Sequence, residues 1–204
     1  MNKQLNEKYL RSFLHGFSSL SNIRQNGPQI ITKGEGIYVF DDSGQRYLEA
    51  NSGLWNAVLG FSDSTAIDAA RSQFESISSY HTFFGRNSVP AIELAELLSS
   101  SSPLRDGRIV FTNSGSEANE AAIKIARRFH HEKNDKKKEI IAFTNSFHGR
   151  SLLNITLSGS DSFKLGFGPF PKSILHATFN DLESVNKVIS ENTAAIIVEP
   201  IQGE

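Results

Sequence analysis

From Arg108 onward the chain alternates short apolar runs with helical patterns, and this restricts it to an α/β architecture with a mostly parallel sheet. Strand-like runs fall at 108–112, 139–144, 173–178 and 194–199. Helices are expected at about 115–131 and 181–191, with a less regular stretch over 152–170. The first of these helices carries apolar residues at Ala118, Ala121, Ala122, Ile125 and Phe129. The run Ala194-Ala195-Ile196-Ile197-Val198 is apolar without interruption, the pattern of a central strand covered on both faces, so it is not expected at a sheet edge. Only six residues follow Val198, so the sheet is expected to be incomplete within these 204 residues.

Ahead of this domain the signals are weaker. Leu5, Tyr9, Leu10 and Phe13 recur at helical spacing, and 18–28 reads as a loop punctuated by Gly27-Pro28. The runs 36–40 and 46–50 flank Asp41-Asp42-Ser43-Gly44-Gln45, whose composition suits the turn of a small antiparallel ribbon. Two helices are expected at 64–79 and 90–98, followed by a serine-rich loop at 99–102. The lysine-rich segment 133–138 reads as a solvated turn. The expected organisation is an N-terminal arm and small-domain segment over 1–60, then an incomplete large α/β domain over 61–204.

With 38% hydrophobic residues, a chain of this length can bury a sizeable core. Its 21 basic and 22 acidic residues leave a formal charge of −1, so no global field points to nucleic acid or an anionic membrane as a partner. Cysteine is absent, which excludes disulfides and Cys-ligated zinc and is compatible with a cytoplasmic setting; no metal site is expected. The first residues lack the apolar core of a signal peptide and no run is long enough to span a bilayer, so the chain is expected to be soluble and cytoplasmic.

The chemistry concentrates at 111–120, where a strand-like run breaks into Ser114-Gly115-Ser116 and opens a helix. The first turn of a helix leaves amide N–H groups without partners, and its dipole favours negative charge. Gly115 lets a ligand approach the backbone, while the hydroxyls of Ser114 and Ser116 add hydrogen bonds, so a phosphate suits this turn. The same residues equally suit a plain capping role, with Ser114 or Ser116 as N-cap and Glu117 or Asn119 satisfying neighbouring amides.

Five motifs in order carry a resemblance. They are Gly36-Ile37-Tyr38-Val39-Phe40-Asp41 with Gly44; Ser52-Gly53-Leu54-Trp55-Asn56 with Leu59-Gly60; Thr112-Asn113-Ser114-Gly115-Ser116-Glu117-Ala118-Asn119-Glu120; Ser146-Phe147-His148-Gly149-Arg150; and Glu199-Pro200-Ile201-Gln202-Gly203-Glu204. Over almost its whole length the chain resembles the N-terminal half of the class III pyridoxal-phosphate aminotransferases, the ornithine, acetylornithine, 4-aminobutyrate and ω-amino acid group. The resemblance implies a fold type I transferase whose cofactor, pyridoxal 5'-phosphate, is bound by Ser114, Gly115 and Ser116 at its phosphate and by Phe147 stacking on its ring. His148 shapes the pocket, and Glu199 belongs to the network around the ring. Many relatives have tyrosine where this chain has Phe147, so any role of that hydroxyl is absent.

For substrate, the resemblance implies Trp55 lining the pocket, Phe83 or Phe84 reaching a partner's site in a homodimer, and Glu204 pairing with a distal arginine so that one pocket accepts two unlike substrates. It implies amino-group transfer from an amine or amino acid to a keto acid or aldehyde. The branch signals divide: Phe147-His148-Gly149-Arg150 and Gln202-Gly203-Glu204 lean towards the acetylornithine or ornithine branch, and Leu54-Trp55 towards the ω-amino acid branch.

The family's Schiff-base lysine and its ring-nitrogen carboxylate have no matching motif in these 204 residues, so no catalytic residue is assigned and the chain is expected to be a fragment, inactive alone. The alternative is a non-catalytic remnant or interaction module that keeps the fold and the phosphate-binding turn. A nucleotide-binding domain is disfavoured, because neither Gly-x-Gly-x-x-Gly nor a Walker-type Gly-Lys-Ser/Thr occurs.

Overall fold

The structure is a computed structural model that describes residues 3–16, 18–104 and 107–203. The chain folds as two compact units, 1–89 and 90–204.

The first unit begins with helices α1 (Lys3–Ser12) and α2 (Leu20–Asn26). The second replaces the loop expected at 18–28. Its start is capped by Ser19, whose Oγ accepts from Asn22 N, and Gly27 ends it at φ 76°, so the residues that looked like loop punctuation are the helix's own stop signals.

A three-stranded antiparallel sheet follows, ordered β1 (Ile31–Glu35), β2 (Tyr38–Asp41), β3 (Arg46–Leu48). The ribbon expected from sequence is the β2–β3 pair. β1 escaped the sequence pattern because Ile31 is its one apolar residue, as suits a polar edge strand. The β2–β3 turn is organised by Asp41, whose carboxylate accepts from Ser43 N (2.9 Å), Ser43 Oγ (2.7 Å), Gln45 N (3.0 Å) and Tyr47 Oη (2.8 Å). These bonds, led by the Ser43 hydroxyl and then Tyr47, hold the Asp41 carboxyl down at about 2 against a usual 3.8. The lowered value makes the hairpin's stabilisation fully present above 3.8 and lost as pH falls through about 2. In Asp41→Asn, thermal melts should lose that acid-side slope, and the variant should melt below the native chain at neutral pH.

Residues Ser52–Trp55 (α3) wind with positive φ throughout: 49° at Ser52, 60° at Gly53, 62° at Leu54 and 67° at Trp55. Three of the four are not glycine, and left-handed backbone costs such residues roughly 1–2 kcal/mol each. The turn is held by Glu49, whose carboxylate accepts from Asn51 N and Gly53 N, and by Asn56 Nδ2 donating to Leu54 O. Phe61 pins it to the sheet by packing against Gly34, where a Cβ would meet its side chain at 2.5 Å. Helix α4 (Ser64–Ser76), capped by Asp63, completes this unit's regular structure.

Helix α5 (Val89–Ser101) runs through the serines expected to form a loop. Ser100 and Ser101 donate their hydroxyls to Leu97 O within the helix, and Ser99 Oγ donates to Gly107 O beyond it.

The second unit is built on a parallel sheet ordered β5-β4-β6, with β4 (Glu139–Phe143) between β5 (Ile174–Ala177) and β6 (Thr193–Ile196). Two of its helices are α6 (Gly115–Glu132) and α7 (Leu152–Leu157). Among the described residues the strand flanked on both sides is Ile140-Ile141-Ala142-Phe143, while the 194–198 run pairs with β4 on one side and its Ile196 and Val198 are exposed. Alternate β4 side chains go to opposite faces. Ile140 and Ala142 pack with Ile123 of α6, Leu157 of α7 and Ile174. Ile141 and Phe143 pack with Ala177 and with Val185 and Val188 of α8 (Leu182–Val188). The run 108–112 pairs with no described strand, and Val110 and Phe111 are exposed.

Helix α6 forms where the apolar spacing places it, and it turns a mixed face inward. Ile125 and Phe129 face solvent, and the inward face carries Ile123 together with polar residues. Each of these has a partner: Asn119 Nδ2 donates to His148 O (2.7 Å), Glu120 accepts from Ser151 Oγ, and Arg127 donates to Lys138 O and Ser173 Oγ. The ring nitrogens of His130 lie 3.1 Å from Asp135 Oδ2 and 3.0 Å from Ala194 O. Hydrophobic periodicity misses such a face, since polar groups that find partners can be buried.

Candidate functional site

Ser114 caps α6 as the plain reading anticipates: its Oγ accepts from Glu117 N (3.2 Å), and Glu117 Oε2 accepts from Asn113 N (2.7 Å). Capping does not exclude anion binding. Ser114 Oγ accepts in this bond and keeps its hydrogen to donate, and so does Ser116 Oγ, which accepts from Arg150 N (2.9 Å). The N–H groups of Gly115 and Ser116 have no partner among the described residues. A Cβ built on Gly115 meets nothing within 4 Å. Two free amides and two donor hydroxyls thus surround an open approach at the positive end of an 18-residue helix.

The segment 146–150 leaves the C-terminal end of β4 and crosses this helix start. It is fixed by Asn119 to His148 O, by Ser116 Oγ to Arg150 N and by Asn154 Nδ2 to Ser116 O (3.0 Å). Gly149 makes the crossing possible: its φ is 121°, and a Cβ there would lie 2.3 Å from Ser116 Oγ. From the next strand end, Glu199 Oε1 accepts from Phe147 N (2.7 Å), and Gln202 Nε2 donates to Thr144 O (2.8 Å). Ser114, Gly115, Ser116, Phe147, His148 and Glu199 therefore meet beyond the carboxyl ends of β4 and β6, where open α/β sheets hold ligands.

His148 is buried, and its backbone N–H donates to Ser158 Oγ (3.0 Å). Burial pushes its ring down from the usual histidine value; Glu199 opposes that shift and His176 adds to it, so the neutral ring is favoured. Its Nε2 and the Oδ1 of Asn154 are buried without a partner among the described residues. Buried polar atoms are almost always satisfied, so this wall has the chemistry of a site that receives a further polar group.

Three contributors escaped sequence reasoning. Asn154 is fully buried and joins Ser116, Ser151 and Glu120; its signal was an asparagine inside an otherwise apolar helix, Leu152-Leu153-Asn154-Ile155. Gly159 passes so close to β4 that a Cβ would meet Phe143 O and Asn145 N at 2.3 Å. Arg150 lies with its guanidinium 5.2 Å from the centre of the Phe147 ring, bringing a cation to the site. Trp55, Phe83 and Phe84 belong to the first unit and are exposed, Phe84 almost fully. Phe83 and Phe84 lie in a cluster with Tyr80 and His81. Glu204 lies outside the described residues.

Comparison with known proteins gives this geometry a family. Residues 21–204 match the family model for aminotransferase class-III. The chain belongs to the class-III aminotransferases. It is 39% identical over 178 residues to the succinylornithine transaminase of Salmonella paratyphi B, an alignment covering 87% of this chain and 43% of that one. Among solved structures, the ω-transaminase of Pseudomonas jessenii in complex with PMP superposes with a TM-score of 0.91 at 35% identity, covering 98% of this chain and 49% of that one. The (S)-enantioselective ω-transaminase of Thermomicrobium roseum gives 0.92 at 33% identity, with coverage of 99% and 50%. The chain spans about half the length of the curated relatives and solved structures it matches. Among the described residues no helix is long and apolar enough to cross a membrane.

Proposed function

We propose that the whole protein is a pyridoxal-phosphate aminotransferase, soluble in the cytoplasm and homodimeric, that moves an amino group from an amine or amino acid to a keto acid or aldehyde. The observation that carries this reading is the convergence of the free Gly115 and Ser116 amides, the donor hydroxyls of Ser114 and Ser116, the Phe147 ring and the Glu199 carboxylate. When bound, the cofactor supplies an electron-accepting ring that eases proton loss from the carbon bearing the amine.

The chain's own residues bind and orient. The start of α6 holds the phosphate, Phe147 covers a ring face, and Glu199 fixes Phe147 by its backbone N–H. Arg150 offers its guanidinium to the acidic end of an amino-acid or keto-acid substrate. His148, kept neutral by burial, lends the pocket wall a polar nitrogen without a competing charge. None of the lysines here falls in the family's Schiff-base motif, so we infer that these 204 residues hold the cofactor without turnover.

Substrate choice falls to the first unit. A strained left-handed turn that presents an exposed Trp55 is the kind of backbone found at ligand sites. A solved thermostable ω-transaminase variant engineered for asymmetric synthesis of enantiopure bulky amines replaces a tryptophan, a phenylalanine 28 residues further on, and an arginine. Trp55 and Phe83 stand at that same interval, which favours Phe83 over Phe84 as Trp55's partner in bounding the substrate. In the complete protein the pair would set how large an amine is accepted.

Isothermal titration of this chain with pyridoxal phosphate and with inorganic phosphate tests the cofactor assignment. Pyridoxal phosphate should bind the more tightly. Gly115→Ala should weaken it about tenfold, or ~1.4 kcal/mol, with an unchanged melting temperature, because the methyl fills the approach and meets no protein atom. Equal affinity for the two ligands would sink the reading.

A further inference from the structure

Phe147 is half-buried, and what holds its ring is a residue no motif singles out. Phe163 packs on it at 5.9 Å between ring centres and 77° between planes, and the guanidinium of Arg150 lies 5.2 Å from the centre of each ring. Two aromatic rings and one cation form a closed triad beside the start of α6. Each edge-to-face pair contributes about 0.5–1.5 kcal/mol beyond its buried area, and each cation–ring contact about 0.5–1 kcal/mol or more.

The placement of Phe163 is built into the chain. It ends a short 3₁₀ turn, Asp161–Phe163, that begins immediately after Gly159 and Ser160. Gly159 N donates to Ser146 O (2.9 Å), and only a glycine fits there against Phe143 O and Asn145 N. The turn is closed by Phe163 N to Ser160 O (3.3 Å) and Lys164 N to Asp161 O (3.1 Å), and Lys164 pairs with Asp161 (3.6 Å). The segment is thus locked to the strand end from which Phe147 departs, so Phe163 has a fixed bearing on the Phe147 ring. An apolar residue serving only the core would have no reason to share a cation with the ring it touches.

We propose that Phe163 is a positioning residue for the cofactor ring: it fixes the plane of Phe147 and the station of Arg150, and so sets the stacking geometry without touching the phosphate anchor. This rests on the cofactor reading above. The separation of roles is the testable content, because the phosphate is held by α6 and the ring by the triad.

The experiment compares the native chain with Phe163→Leu, Phe163→Met and Phe163→Tyr, titrating each with pyridoxal phosphate and with inorganic phosphate. Phe163→Leu and Phe163→Met should bind pyridoxal phosphate about tenfold more weakly, the scale of one aromatic pair, and inorganic phosphate as the native chain does. Phe163→Tyr keeps the ring and should stay within about twofold of native. Leucine and methionine variants that bind pyridoxal phosphate as the native chain does would overturn the proposal and leave the cofactor reading intact. Loss of both affinities in both variants would mark Phe163 as plain core and overturn it as well. A native chain that does not distinguish the two ligands would overturn the cofactor reading, and this proposal with it.

Discussion

Gly159→Ala should be among the most damaging single substitutions in this chain, lowering the stability of the second unit by about 3 kcal/mol or more, at or above the top of the range for overpacked cores. The added carbon would lie 2.3 Å from Phe143 O and 2.3 Å from Asn145 N, both backbone atoms at the end of the central strand. Backbone at this position cannot yield, because Phe143 is paired in the sheet and Ser146 Oγ donates to Phe143 O from within the same turn. Relief therefore requires the 158–164 segment to leave the sheet, exposing Leu157 and removing Ser158 from the His148 amide. Urea unfolding followed by far-UV circular dichroism measures the loss. A midpoint within error of the native chain would mean that the close approach is not a feature of the folded protein.

Gly149→Ala should act on the site and spare the sheet. Its φ of 121° costs any other residue about 1–3 kcal/mol, and the new carbon would lie 2.3 Å from Ser116 Oγ. The least disruptive relief swings Ser116 Oγ away and breaks its bond from Arg150 N, so the 146–150 crossing separates from the start of α6. Affinity for pyridoxal phosphate should fall about 100-fold, equivalent to ~2.8 kcal/mol, while the central strand, whose core partners are Ile123, Leu157 and Ala177, keeps its packing. The readout is cofactor affinity alongside the denaturation midpoint. The stability read from that midpoint should fall only by the ~1–3 kcal/mol of backbone strain; unchanged affinity for pyridoxal phosphate would contradict this division of labour.

The two glycines also indicate what the sequence could convey. The small-polar turn at 114–116 was legible because a helix start has a local signature in three residues. The helix start, the strand end at 143 and the carboxylate at 199 could each be marked along the chain. Their joining could not be read without the family, since Asn119 to His148, Arg150 to Ser116 and Phe147 to Glu199 span 29, 34 and 52 residues. Local pattern misled where burial was polar: the inward face of α6 is Asn119, Glu120, Arg127 and His130 with Ile123, and an apolar count selects the opposite side, with Ile125 and Phe129. At 194–198 the continuous apolar run is the pattern of a covered strand; among the described residues it pairs with β4 on one side, and the chain spans about half the length of its relatives. The serines at 99–102 and the glycine at 27 suit loop chemistry by composition, yet Ser100 and Ser101 bond a helix carbonyl and Gly27 ends a helix, while Ser102 alone follows the helix end.

Helix α6 also offers an anion a second destination at its far end, where Lys133, Lys136, Lys137 and Lys138 cluster. Only the N-terminal site combines free amides with an aromatic ring and a buried unsatisfied nitrogen. Amide ¹H–¹⁵N spectra recorded as pyridoxal phosphate is added distinguish the two. The account predicts saturable shifts concentrated at Gly115, Ser116, Glu117, Phe147 and Arg150, with smaller ones over 133–138; shifts confined to 133–138, or none at the start of α6, would contradict it.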